Sequence, residues 1–155
     1  MSNFTLRKIE QSGDIVGYAG DLSDVARAVI DLTLELYAAS GYEEPWVSYM
    51  GVLDNEFVGS CSFKSPPREG QVEIAYFTFP GNEGRGWATR MAGGLVAIAR
   101  ASREQPLVTA QTLPARNASH RVLEKLGFRA AGIVHHPDDG DVLEWRLPQE
   151  RMDRG

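Results

Sequence analysis

The sequence predicts a single α/β domain: a mixed, mostly antiparallel sheet of six to seven strands with helices on both faces. Three observations lead there. Apolar runs across residues 46–79 are separated by short polar or Pro/Gly turns, as antiparallel hairpins are. A strand, a helix and another strand then follow over residues 71–113, a crossover that joins parallel neighbours. The whole order reads β, α, β, β, β, α, β, α, β, β, which mixes both kinds of pairing in one sheet.

The first strand is expected over Phe4 to Glu10, where Phe4, Leu6 and Ile9 alternate loosely with polar residues. Gly13 to Gly20 has no period and reads as irregular. Ser23 is a good N-cap, Val25, Val29, Leu32 and Leu36 recur at helical spacing, and Gly41 stands where a helix would stop. Strands follow at Trp46 to Asp54, Phe57 to Lys64 and Gln71 to Phe79, joined by Asp54-Asn55-Glu56 and by Ser65 to Gly70. The glycine-rich stretch from Pro80 to Gly86 opens a helix over Trp87 to Ser102, with Ala88, Met91, Ala92, Leu95 and Ala99 on one face. Gly93 and Gly94 inside it cost about 1 kcal/mol each relative to alanine, so close packing against the sheet is their expected reason. Leu107 to Leu113 is a strand, Asn117 to Leu126 a helix stopped by Gly127, and Arg129 to His135 with Val142 to Leu147 a closing pair. Residues 1–150 are expected to form the domain and 151–155 a short tail.

Composition narrows the classes. The 155 residues are 43% hydrophobic and 24% charged, enough for one buried core. A net charge of -5 argues against a nucleic-acid partner, since phosphate neutralisation needs clustered Lys and Arg. The N-terminal MSNFTLRKIE has no apolar core of signal-peptide length, and no window approaches the roughly 18 apolar residues of a membrane span. A cytoplasmic protein without a membrane partner, monomeric or homodimeric, is expected. The single cysteine, Cys61, lies in an alternating segment and reads as a small buried hydrophobe rather than a nucleophile.

The loop PGNEGRGWATRM raises the chemical question. A strand running into glycines and then a helix leaves backbone N–H groups unpaired beside the positive end of the helix dipole, which suits a phosphate. A nucleotide P-loop is excluded because Trp87, not Lys, follows Gly86. A dinucleotide fingerprint begun at Gly84 and Gly86 meets Thr89 at its third glycine position, and no acidic residue follows Val108 to Leu113 at the expected distance.

Glu83, Gly86 and Ala88 occupy the three positions of Q/R-x-x-G-x-G/A, and the stretch resembles the pyrophosphate signature of the GNAT N-acetyltransferase superfamily, with Glu83 departing from Gln or Arg. TLPARNASHRVLEKLGF (Thr112 to Phe128) is similar to the second half of the RimJ/RimL-like branch, in which Asn-x-Ser opens a helix and Leu-Gly-Phe closes it. VEIAYFTFP (Val72 to Pro80) resembles that branch's central strand and DGDVLEWRL (Asp139 to Leu147) its last.

The resemblance implies an acetyl-CoA-dependent N-acetyltransferase acting by direct attack in a ternary complex, with a central strand pair that splays to admit the donor. It assigns Phe77, Thr78 and Phe79 to pantetheine and Gly84, Arg85, Gly86, Trp87, Ala88 and Thr89 to pyrophosphate. Phe77 and Phe79 are equally readable as core aromatics. Glu83 is expected to turn from the phosphates or to pair with Arg85 or Arg90.

Glu73 interrupts an apolar strand and is the candidate base, a paired strand-edge carboxylate being the bland reading. Ser119 is the candidate acid, with Tyr76 the other. Asn117 is the candidate pantetheine contact, although Asn and Ser are also ordinary N-cap residues. His120, His135 and His136 are not expected to bind metal. The acceptor, a small amine or a peptide N-terminus, is expected to touch Gln11 to Asp21, Ser40 to Trp46 and the last hairpin. There Glu43, Glu44, Asp138, Asp139 and Asp141 would favour a cationic amine. The competing class is a non-catalytic acyl-CoA-binding module.

Overall fold

The computed structural model describes residues 3–149, and the tail expected at 151–155 lies outside the described residues. Ten elements follow in the predicted order: β1 (Phe4–Lys8), α1 (Asp24–Ser40), β2 (Ser48–Leu53), β3 (Glu56–Phe63), β4 (Gln71–Thr78), α2 (Trp87–Ala101), β5 (Leu107–Thr112), α3 (Ala118–Lys125), β6 (Arg129–His136) and β7 (Gly140–Arg146). Among the described residues seven strands form one sheet in the order β1-β2-β3-β4-β5-β7-β6. Every neighbouring pair is antiparallel except β4 with β5.

Strand parity divides the residues between two faces. Phe4, Leu6, Tyr49, Cys61, Phe63, Ile74 and Tyr76 share one face, which α2 and α3 cover with Met91, Leu95 and Leu123. Met50, Val52 and Phe79 lie on the other, beneath Ala26 and Ile30 of α1. The two glycines of α2 differ in purpose. A Cβ on Gly94 would stand 2.6 Å from Leu6 Cδ1, so that glycine permits close approach to β1, whereas one on Gly93 would meet only Leu126 at 3.5 Å.

Helix α1 begins where expected, with Ser23 Oγ accepting the Ala26 N–H at 3.1 Å, and ends at Gly41, whose N–H donates to the Tyr37 carbonyl. Its buried stripe is Ala26, Ile30, Thr33 and Tyr37, offset from the predicted stripe of Val25, Val29, Leu32 and Leu36. The correction has a physical reason: the helix crosses the sheet so that one stripe seals the core, while Val29, Leu32 and Leu36 border an open groove.

Candidate functional site

The centre of the sheet opens between its two parallel strands. β4 and β5 pair from Gln71↔Leu107 to Ile74↔Ala110 and no further, although β4 continues to Thr78 and β5 to Thr112. On its other edge β4 stays paired with β3 as far as Thr78↔Gly59. The Lys64 N–H donates to the Glu73 carbonyl, and the Phe79 N–H donates to the Val58 carbonyl. Antiparallel alternation between those bonds turns the backbone of residues 73, 75, 77 and 79 toward β3. The backbone N–H and C=O of Tyr76 and Thr78 therefore face the opening. Of the three residues that the resemblance assigns to pantetheine, Thr78 offers its backbone there. Phe77 and Phe79 do not. Phe79 is buried against α1, and the Phe77 ring is 49% exposed on the α1 face.

Beyond the strand end, the loop from Pro80 to Gly86 delivers the chain to α2. The Asn82 N–H closes the first turn on the Phe79 carbonyl. The Glu83 carboxylate accepts the Gly81 N–H at 2.9 Å, so it is held by the loop's own backbone rather than by Arg85 or Arg90. The Arg90 guanidinium lies over the Phe4 ring at 4.9 Å. Gly86 is the N-cap of α2 in the left-handed region (φ 83, ψ 8) and supplies no side-chain cap. Helices α1 and α3 are both capped by side chains. The first N–H groups of α2, at Trp87, Ala88 and Thr89, are thus left for another acceptor. The Trp87 indole stacks on Phe4 with centroids 5.5 Å apart, and its buried Nε1–H has no hydrogen-bond partner among the described residues.

Across the opening stands the start of α3. Asn117 Oδ1 accepts from the Ser119 N–H at 2.9 Å and the His120 N–H at 3.4 Å, so its carboxamide oxygen is committed to the cap and only the amide nitrogen remains for a ligand. Tyr76 reaches from β4 to this turn, its hydroxyl donating to the Ser119 carbonyl at 3.5 Å. Burial raises the Tyr76 phenol above the ordinary tyrosine range, the Ser119 contact offsetting part of the effect. It therefore holds its proton at neutral pH. Below it His120 Nε2 bonds the Leu113 carbonyl (2.9 Å) and Thr112 Oγ1 (3.1 Å), and Trp145 Nε1 donates to the same Thr112 hydroxyl. This buried network anchors the turn that carries Asn117 and Ser119.

On the opposite face of β4 the side chains of Glu73, Ala75 and Phe77 form a row. Ala75 and Phe77 line a cavity of about 400 Å³ together with Val29, Leu32, Thr33 and Leu36 of α1 and Ser48, Ser60 and Ser62 of β2 and β3. Glu73 precedes this cavity and receives Lys64 Nζ at 3.2 Å. Glu73 is thus on the face away from Tyr76 and Ser119, while those two meet each other. Cys61 is 2% exposed and its thiol is pushed up by burial, which keeps it from acting as a nucleophile.

The expected acidic surroundings of an acceptor do not converge on this cavity. Lys8 and Tyr42 bind the Glu44 carboxylate and hold it below the usual range. His135 takes Asp141 and His136 takes Asp139. His120 is buried elsewhere, and among the described residues no group of three His, Cys, Asp or Glu side chains is placed to hold a metal. Nor is any helix among the described residues long and apolar enough to cross a membrane. The groove residues Leu32, Leu36, Ser48, Ser60 and Ser62 were not expected in the site. The one signal for them was an apolar stripe on α1 wider than its core needs.

The family model of the acetyltransferase (GNAT) domain matches residues 5–129. No curated protein matches the sequence. Among solved structures, a GnaT-family acetyltransferase from Bordetella pertussis is 23% identical, covering 86% of this chain and 83% of its own at a TM-score of 0.60. The ribosomal L7/L12 alpha-N-protein acetyltransferase RimL is 17% identical, with 92% and 88% covered and a TM-score of 0.62. The microcin C7 self-immunity acetyltransferase MccE, in complex with acetyl-CoA and AMP, is 14% identical, with 81% and 71% covered and a TM-score of 0.63. At these identities the likeness is one of fold.

Proposed function

Since the chain belongs to the acetyltransferase (GNAT) domain family, we propose that it moves the acetyl group of acetyl-CoA to a primary amine by direct attack in a ternary complex. The observation that carries this reading is the parting of β4 from β5 above Ile74 and Ala110, with a donor path on the α2 and α3 side and an acceptor groove on the α1 side. The Asn117-Ala118-Ser119 cap and the Leu126-Gly127-Phe128 stop support a place in the RimJ/RimL-like branch.

The residues present fit the donor. A Cβ on Gly81, Gly84 or Gly86 would point into open space, so a ligand can lie directly on this backbone, and α2 begins there without a side-chain cap. The N–H groups of Trp87, Ala88 and Thr89, with Gly84, Arg85 and Gly86, would hold the pyrophosphate. Tyr76 and Thr78 would pair with pantetheine through their backbone, and Asn117 through its amide nitrogen. Acetyl-CoA supplies an acetyl thioester, whose C–S bond is exchanged for a C–N bond as one proton leaves the amine and one reaches the sulfur. Glu73 is the base that takes the amine's proton on the α1 face, directly or through water. Tyr76 Oη, kept protonated by burial, is the donor on the other face, with the hydroxyl of Ser119, whose carbonyl Tyr76 contacts, as the second.

Thiol release from acetyl-CoA across a panel of amines tests the proposal. Tyr76→Phe and Glu73→Gln should each lower kcat by about 100-fold. A Glu73→Gln enzyme at full rate across pH would remove that residue from the mechanism. The Glu73 to Lys64 ion pair favours a second reading, a binding module without chemistry. Acetyl-CoA that raises the Tm while no amine draws turnover would select it.

A further inference from the structure

Resting on the acetyl-transfer reading, we propose that the acceptor is a monoamine whose neighbouring substituent is apolar, branched alkyl or aryl, with no second positive charge. The groove beside Ala75 and Phe77 has no charged residue in its lining. Two of its apolar walls are conspicuously bare: Leu32 is 65% exposed and Phe77 49%. Single exposed apolar side chains are ordinary, but these two converge on one cavity from different elements.

The floor is polar without being charged. Ser48 Oγ and Ser62 Oγ lie 2.7 Å apart, and the Ser62 hydroxyl donates to the Phe63 carbonyl, so Ser48 donates to Ser62 and both hydroxyl protons are committed. Glu73, on the same face of β4 two residues before Ala75, stands outside the groove's lining, and Lys64 already shares its carboxylate. It serves one amine. A second ammonium carried along the groove would lose water and find no counter-charge, which is costly, while an alkyl or aryl group would cover Leu32 and Phe77. This reverses the cationic preference that the acidic residues of the sequence suggested.

The test is thiol release at saturating acetyl-CoA with phenethylamine and isoamylamine against putrescine and spermidine, and with leucyl-initiated against lysyl-initiated tripeptide amides. The peptide arm separates a free amine from a peptide N-terminus as source. The apolar acceptors should exceed the charged ones in kcat/KM by about tenfold or more. Leu32→Glu, at a solvent-facing helix position, should raise the KM for the apolar amine by about tenfold, leave the KM for acetyl-CoA unchanged and narrow the gap to putrescine. Polyamines turned over as efficiently as the monoamines, or a Leu32→Glu enzyme with unchanged selectivity, would overturn the inference while acetyl transfer stands. Thiol release with none of the amines, acetyl-CoA still raising the Tm, would overturn the transfer reading and this inference together.

Discussion

Replacing Gly86 by alanine separates the backbone cost of the loop from its binding role. Gly86 sits at φ 83 and ψ 8, where an L-residue loses about 1–2 kcal/mol. In a chain of this size that corresponds to a Tm fall of roughly 2–8 °C. Its Cβ would meet nothing within 4 Å, so the free protein has no steric reason to lose more. If pyrophosphate lies on the N–H groups that follow, the added methyl stands between ligand and backbone. A tenfold weaker grip on acetyl-CoA then needs only about 1.4 kcal/mol. Gly70, in the turn between β3 and β4, is the matched control: its φ is 76 and its Cβ would also meet nothing within 4 Å. Thermal unfolding and the KM for acetyl-CoA, measured on both variants, give the comparison. Gly86→Ala and Gly70→Ala should lose similar stability, and only Gly86→Ala should raise the KM. Equal stability losses with an unchanged KM in both would refute the assignment of the phosphates to this loop.

Other substitutions probe the same geometry. Glu83→Gln keeps an oxygen for the Gly81 N–H but removes a charge from the loop, and should lower the KM for acetyl-CoA about two- to fivefold, an effect that salt titration should erase. Asn117→Ala should cost about 1 kcal/mol through loss of the α3 cap; Asn117→Asp should restore the melting temperature, and a weaker hold on acetyl-CoA in that variant would mark contact through the amide nitrogen. Gly93→Ala should gain up to about 1 kcal/mol of stability in calorimetry, since only Leu126 stands near, whereas Gly94→Ala meets Leu6 and should not. Burial raises the phenols of Tyr37, Tyr49 and Tyr76, so each holds its proton more tightly folded than unfolded. Their stabilisation is full below the ordinary tyrosine value of about 10 and is lost as pH climbs through the raised values, which Tm against alkaline pH, with tyrosinate absorbance, should follow.

The fold was legible because its punctuation is local. Ser23 and Asn117 cap helices where the sequence places caps, Gly41 and Gly127 stop them, and the turns at Asp54-Asn55 and Ser65 to Gly70 set the hairpins. The stripe of α1 was misplaced because helical spacing shows which residues can share a face, not which face the sheet will take. Val29, Leu32 and Leu36 satisfy the spacing as well as Ala26, Ile30 and Thr33 do. Which residues are sealed is settled by contact with Met50, Val52 and Phe79, residues far away in sequence: Ala26 and Ile30 are buried in that cluster, Val29 only partly so, and Leu32 is left exposed.

The site was legible to the level of its segments and not of its atoms. Phe77, Thr78 and Phe79 lie beside the opening as expected, but which backbone groups are free is a matter of parity, counted from the bond between the Lys64 N–H and the Glu73 carbonyl. Shifting that count by one residue would free 75 and 77 instead, and would turn Glu73 toward the donor side. The same count puts Tyr76 on the α3 side and Glu73 on the α1 side. A proton donor and a proton acceptor on opposite faces of one strand cannot exchange with each other, but each can serve one partner of a reaction carried out in the gap between them. That separation makes the odd offset of three positions from Glu73 to Tyr76 along β4, rather than either side chain alone, the feature on which the proposed chemistry depends.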